Sequence, residues 1–176
     1  MQSHLLEITV EMLREKNENA QWIDKILDAA NDNATGGWST NAALELGVPF
    51  DTITAAVMAR IISAKKEERQ KAMKLYASTS ATRIATPISE QELFSAYKMA
   101  STINNAIGFD LLAEASREYA WSLNLSEIAR IWTNGCIIRS KLMEELSEFF
   151  IDHPSENLLL HPLISERIKT SREAFK

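Results

Sequence analysis

The sequence is short of everything that staples, breaks or bends a chain: one cysteine, four prolines and five glycines among 176 residues. Cys136 has no partner for an internal disulfide, so no disulfide framework can carry the fold, and the composition suits a reducing cytoplasm. With so little proline and glycine and 45% hydrophobic residues, the chain has none of the marks of disorder or low complexity. No apolar run approaches the roughly 20 residues that a bilayer crossing needs, so no membrane association is expected. The start of the chain lacks the basic, apolar and small-residue succession of a signal peptide. A cationic excess is missing as well. The formal net charge is -5, which excludes a general binder of nucleic acid or anionic membrane, so any anion site must be local. Several fixed-spacing motifs are absent: no G-x-G-x-x-G, no Walker loop, no nucleophile elbow and no pair of cysteines. The three histidines, His4, His153 and His161, lie far apart in the chain without an i, i+4 spacing, so no metal site is expected.

What the sequence does have is helical periodicity, with no sustained strand alternation. Leu5, Leu6, Val10, Met12 and Leu13 form an apolar stripe between Ser3 and Asn17, and Trp22, Ile23, Ile26, Leu27 and Ala30 repeat it between Gln21 and Asn31. These predict two opening helices. The stretch "DNATGGW", Asp32 to Trp38, collects helix breakers. Ser39 or Thr40 then caps a short helix closed by Gly47 and Pro49. Asp51 is the expected N-cap of a helix running to about Ser78, and Thr79 to Ile88 is the longest aperiodic connection. Ser89 and Glu92 form an S-x-x-E capping box before a long helix whose expected inner face includes Leu93, Tyr97, Ile103, Ile107 and Leu111. Gly108 inside it signals either a close helix crossing or simple tolerance. Ser126 is the expected cap of a short helix that Gly135 breaks. A further helix spans about Ile137 to Asp152, with Leu142, Leu146, Phe149 and Phe150 inward, and His153-Pro154 ends it. The last segment, from Pro162, reads as helix to Lys176. The expectation is one all-α, multi-helix domain built around one long central helix, without repeats or linkers.

Two features carry candidate chemistry. Arg60 falls in the series Ile53, Val57, Arg60, Ala64, which sets a guanidinium on an aliphatic stripe. There it snorkels, pairs with a carboxylate, or meets an anionic ligand. The loop "NATGGW" leaves backbone N–H groups and the Thr35 hydroxyl open to an anion, although an ordinary helix connection explains it too. Cys136 reads as a small core residue and "KKEER", Lys65 to Arg69, as a solvated helix face with compensating charges.

A resemblance is more specific than these patterns. Residues Ile26 to Arg69 resemble the segment of decarboxylating 6-phosphogluconate dehydrogenases in which a K-G-T-G-K-W-T loop leads through A-L-x-x-G-x-P to a helix bearing F-A-R-x-x-S-x-x-K-x-x-R. "LSEIARIWTNGCIIRS", Leu125 to Ser140, resembles the family's L-N-x-x-x-I-A-x-x-W-R-G-G-C-I-I-R-S, and Ala96 to Trp121 resembles its long central helix. The likeness runs in order through essentially the whole chain.

It implies a partial C-terminal helical domain, residues 1–176, of a homodimeric enzyme. Such enzymes use NADP to oxidise 6-phosphogluconate at C3, lose CO2 from the 3-keto acid and protonate the enediol to ribulose 5-phosphate. The family's lysine base and glutamate acid belong to an earlier helix, its dinucleotide-binding domain precedes that, and its substrate-binding tail follows. The segment itself is therefore expected to hold no catalytic residue, to bind no NADP and to be inactive alone. Residue by residue, the family's phosphate-binding arginine falls on Arg60, its loop threonine on Thr35 and its first loop lysine, a substrate ligand, on Asn33. The second loop lysine is replaced by Gly37, a glycine by Ala34 and the arginine before G-C by Thr133. Trp132, Cys136 and Arg139 are expected to be architectural, at a helix junction opened by Gly135, with support of the substrate pocket as the alternative for Arg139. The other reading is a stand-alone, non-catalytic helical assembly module derived from this domain.

The departure at Asn33 is testable. A charged hydrogen bond to phosphate is worth about 1.5–3 kcal/mol, or one to two decades in affinity. In a full-length enzyme carrying this segment, Asn33→Lys is expected to lower the Kd for 6-phosphogluconate by about tenfold or more, measured by calorimetry. An unchanged Kd would point to a different sugar phosphate.

Overall fold

The computed structural model describes residues 3–17, 20–30, 35–76 and 88–171. Helix α1 (His4–Arg14) is capped by Ser3, whose hydroxyl accepts from the Leu6 N–H at 3.3 Å. Its start is docked on a distant junction: Ser3 bridges Ser140, and the His4 N–H donates to the Arg139 carbonyl at 3.1 Å. The second expected helix does not form. Strands β1 (Lys16–Asn17) and β2 (Ala20–Gln21) pair antiparallel, and a single 3-10 turn at Trp22–Lys25 follows before Ile26 becomes extended. Trp22, Ile23 and Ile26 are 49%, 42% and 48% exposed. A segment that short has too little propensity to hold a helix without burial, and its apolar stripe finds little to bury against.

Of the stretch "DNATGGW", Asp32 to Ala34 lie outside the described residues, and Thr35 to Trp38 are helical. Helix α2 (Thr35–Leu46) begins at Thr35, with Gly36, Gly37 and Trp38 in its first turn. Ser39 and Thr40 do not cap it; their hydroxyls donate back to the Gly36 carbonyl at 2.9 and 3.1 Å. Gly47 closes it as expected, at φ +68°, where the Val48 N–H donates to the Ala43 carbonyl at 2.9 Å. Asp51 is the first residue of α3 (Asp51–Ala64) rather than its cap, and Phe50, 8% exposed, sits in the cap position. The expected run to Ser78 is interrupted at Lys65, after which α4 (Lys66–Leu75) begins. The predicted connection at 79–88 lies outside the described residues except for Ile88.

The capping box is formed. The Ser89 hydroxyl accepts from the Glu92 N–H at 3.2 Å, and Glu92 Oε2 accepts from the Ser89 hydroxyl and N–H, each at 2.7 Å. The hydroxyl first, then the N–H, hold the Glu92 carboxyl below the usual carboxylate range. The box therefore contributes fully above the ordinary carboxylate value and fades as pH falls through the lowered one. Helix α5 (Glu90–Glu118) runs from it for 29 residues. Its buried face is Met99, Thr102, Ala106, Phe109 and Ala115. Thr102 and Ala106 each precede the expected Ile103 and Ile107 by one residue, a rotation of about 100°, and Phe109 falls between the expected Ile107 and Leu111. Leu93 is 64% exposed, and Ile103, Ile107 and Leu111 are half-buried. α5 has apolar residues on two faces, and the ring of Phe109 decides which one turns inward.

Helix α6 (Leu125–Ile131) is capped by Asn124 and not by Ser126; the Asn124 side chain accepts from the Glu127 N–H at 3.1 Å. Ser126 instead donates to the Ser147 carbonyl at 2.7 Å, tying α6 to α7 (Lys141–Asp152). Gly135, at φ +68°, lies within the junction between them, and Ser140 caps α7, which starts at Lys141 rather than at the expected Ile137. The core lies where α5, α6 and α7 meet: Phe109, Ala129, Met143, Leu146 and Phe150 are each at most 3% exposed. Trp132 packs on it, ring to ring 5.7 Å from Phe109. After α7 a 3-10 turn at Leu158–Leu160 drops Leu158 into the same core, and α8 (Pro162–Ser171) lies along α5. Residues 172–176 lie outside the described residues.

Gly108 has no close crossing to accommodate: nothing among the described residues lies within 4 Å of a Cβ added there. Gly108→Ala is therefore expected to stabilise the chain by about 0.5–1 kcal/mol, through helix propensity alone. A thermal melt should show the midpoint rise by about 1–4 °C; a fall would mean that an unseen neighbour needs the space.

Candidate functional site

Two of the candidate residues lie on the hairpin of α2 and α3, Thr35 on the first helix and Arg60 on the second. Thr35 opens α2, where the N–H groups of the first turn point away from the helix and give it a partial positive end. α3 returns alongside, and the Thr40 and Thr54 hydroxyls meet at 3.3 Å across the pair. Arg60 lies in the last turns of α3. The expected buried stripe is only partly realised: Val57 is buried at 7%, Ile53 is half-buried, and Arg60 and Ala64 are exposed. The side-chain link between the helices from Thr40 to Thr54 falls in the first half of α3, where the burial is also found. The argument that burial strands this guanidinium without a partner therefore falls away. Both Thr35 and Arg60 take part in further polar contacts. Asn33 lies outside the described residues.

Two side chains that sequence reasoning passed over, Ser63 at the end of α3 and Arg69 on α4, hold the segment before this hairpin. The Ser63 hydroxyl, one turn past Arg60, accepts from the Ala30 N–H at 3.1 Å. Arg69, on α4, donates through Nη1 to Asp28 Oδ2 at 3.1 Å, and through Nη2 to the Asp28 carbonyl at 2.7 Å and the Ser63 carbonyl at 3.1 Å. One guanidinium thus ties residues 28–30, the approach to the Thr35 turn, to the α3–α4 break. Its fork geometry matters, because a lysine could not span these three acceptors. The ion pair itself is two-thirds or more open on the aspartate side and is worth little as charge. Holding two backbone carbonyls is the larger role. Among the described residues Arg69 Nε is buried without an acceptor. Lys65 and Glu68, 3.6 Å apart on the exposed face, fit the solvated reading of "KKEER"; Arg69 does not. The signal was present in the serine and final arginine of the R-x-x-S-x-x-K-x-x-R series, Arg60 to Arg69, but without coordinates nothing linked them to Asp28.

With this geometry in view, comparison with known proteins is decisive. Residues 1–176 match the family described as "6-phosphogluconate dehydrogenase, C-terminal domain" along their whole length. The chain belongs to that family. Curated relatives include the decarboxylating 6-phosphogluconate dehydrogenases of Treponema pallidum, 39% identical over 96% of this chain, and of Schizosaccharomyces pombe, 37% identical over all of it. This chain spans 36% of the length of each. Among solved structures, the Plasmodium falciparum 6-phosphogluconate dehydrogenase, described with its cofactor NADP+ and its substrate 6-phosphogluconate, superposes with a TM-score of 0.88. That match has 34% identity and covers 98% of this chain and 38% of the other. The all-α architecture around a long central helix is that of the family. No helix among the described residues is long and apolar enough to cross a membrane.

The junction residues behave as architecture. Trp132 is packed on the core, Cys136 is half-buried, and Arg139 lies 3.9 Å from Glu7 while its carbonyl receives the His4 N–H. The tether at Ser63 is the part most open to test. Ser63→Ala is expected to leave the helices intact and to speed hydrogen exchange at the Ala30 amide by about fivefold, the loss of one hydrogen bond of about 1 kcal/mol. Unchanged exchange at Ala30 would show that the bond does not hold the segment.

Proposed function

We propose that this chain is the phosphate-recognising part of an NADP-dependent oxidative decarboxylase that converts 6-phosphogluconate to ribulose 5-phosphate and CO2. In this reading the Thr35 hydroxyl, the first-turn N–H groups of α2 and the Arg60 guanidinium receive the substrate's phosphate. Asn33 occupies the position of a family lysine and offers an amide where that lysine offers a charge. The observation that carries the reading is the tether. Ser63 and Arg69 hold residues 28–30 against the end of the helix that bears Arg60, which supports placing the chain just before the loop beside that cation. Arg60 is solvent-exposed, and the planar fork of a guanidinium matches phosphate oxygens. With a net charge of -5 over the chain, such recognition has to be local, by one or two cations and a helix end.

The residues here do not fit a dinucleotide: there is no glycine-rich turn between strand and helix, and the described strands are two residues long. NADP, as hydride acceptor, and the lysine base and glutamate acid belong to other parts of the enzyme in this reading. The dimer is part of the proposal too. Trp38, Leu44, Ile137 and Ile151 are 69%, 76%, 64% and 69% exposed, more apolar surface than a self-sufficient domain leaves open, and a second subunit or a neighbouring domain would cover it. A cytoplasmic setting follows from the sugar-phosphate substrate and the unpaired cysteine.

In a full-length enzyme carrying this segment, Arg60→Ala is expected to raise KM for 6-phosphogluconate by about one to two decades while leaving KM for NADP within about twofold. Equal effects on both would remove Arg60 from the phosphate site.

A further inference from the structure

His153 and His161 are eight residues apart in sequence, and the turn between α7 and α8 brings them together. His153 ends α7 as its C-cap, and His161 stands at the start of α8, its carbonyl accepting from the Ile164 and Ser165 N–H groups at 3.1 and 2.9 Å. Each precedes a proline, which restricts its backbone. Their rings lie 4.8 Å apart and share one support: Phe149 stacks on His153 at 4.8 Å and meets the edge of His161 at 4.9 Å. Glu156, in the turn between them, places Oε2 2.8 Å from His153 Nδ1. One ligand atom from each of the three residues falls within 4.8 Å of the others.

We propose that His153, Glu156 and His161 form a binding site for a divalent transition-metal ion of the zinc class. Two imidazoles and a carboxylate are the donor set that such ions take at sites with three protein ligands, water completing the shell. Imidazole nitrogen selects zinc, nickel, cobalt or copper over magnesium or calcium. Tetrahedral coordination sets ligand atoms about 3.3 Å apart. The contraction from 4.8 Å is within reach of side-chain rotation, because the backbone is already held. Leu158, 2% exposed, anchors the turn in the core, and the Asn157 amide donates to Asp110 Oδ1 at 3.0 Å on α5. The three side chains are half-buried, so an ion can enter from solvent. His153 and His161 border a groove of about 410 Å³ that also carries Glu145, Glu148, Asp152 and Arg167. Arg167 is paired with Glu145 at 2.8 Å, which leaves the acidic Glu148 and Asp152 to favour a cation.

The ion takes the place of a hydrogen bond. Coordination through His153 Nδ1 requires the tautomer that carries its hydrogen on Nε2, so the Nδ1–Glu156 hydrogen bond is exchanged for metal bonds to both atoms. His161 Nδ1 accepts from the Leu163 N–H at a long 3.3 Å, a bond weak enough to give way to coordination. The bound ion closes a clamp between the end of α7 and the start of α8.

The test is titration of the purified 176-residue chain with Zn2+ by calorimetry and with Co2+ by visible absorption. Saturable one-to-one binding is expected, with intense Co2+ bands of a four- or five-coordinate site and a zinc-dependent rise in thermal midpoint. His161→Asn and Glu156→Gln should each weaken Zn2+ binding by more than about tenfold, and His4→Asn should leave it unchanged. Each substituted side chain is partly exposed, so the variants should fold, which their metal-free melts would verify. No saturable binding, or binding equally strong in His161→Asn, would overturn the site.

Discussion

The ring of Phe109 on α5 lies 4.8 Å from that of Phe150 on α7, and most of the ordered structure hangs on that contact. Both are nearly fully buried, each contributing about 1.5–3 kcal/mol by leaving water and a further 0.5–1.5 kcal/mol as an aromatic pair. It fixes the long helix against the α6–α7 pair, where Ala129 at 0% exposure lets the backbones approach. Trp132 caps the pair from the junction side. Leu158 enters the same core from beyond α7, so the turn carrying His153, Glu156 and His161 is positioned by the core and needs no support of its own.

The end of the molecule formed by α2 and α3 is built on different terms. α2 and α3 bury only Ala43 and Val57 within their spans, and the approach to Thr35 is held by hydrogen bonds from Ser63 and Arg69 rather than by apolar burial. Such bonds are worth about 1 kcal/mol each and are directional. They set the position of a backbone without rigidly embedding it. A site that must open to a charged ligand is expected at this less buried end of a molecule.

Much of this was legible in the residues, and the failures have physical causes. The S-x-x-E box at Ser89 and Glu92 was readable because a cap is a local interaction, complete within four residues. Gly47 and Gly135 were readable for the same reason: a left-handed turn imposes its demand on one residue. Breakers misled at Thr35, where Gly36 and Gly37 are tolerated in a first helical turn, and periodicity misled at Trp22, where an amphipathic stripe had too little to pack on. On α5 the pattern gave a helix but the wrong inner face, since two apolar faces were on offer and the partner surface chose. At the candidate site, the family motif located Thr35 and Arg60 in sequence, while the partners of Ser63 and Arg69 lie 33 and 41 residues away and leave no mark in any local pattern.

The order of residues alone determined an all-α chain, its capped long helix, most of its breaks and its membership of a sugar-phosphate dehydrogenase family, because these depend on local propensity, on period and on motif. Only the tertiary structure decided that Phe109 rather than Ile107 faces the core, that Arg69 clamps the segment before Thr35, and that His153 and His161 share one aromatic support. Each of those rests on which surfaces meet across long stretches of chain, and local sequence has no term for that.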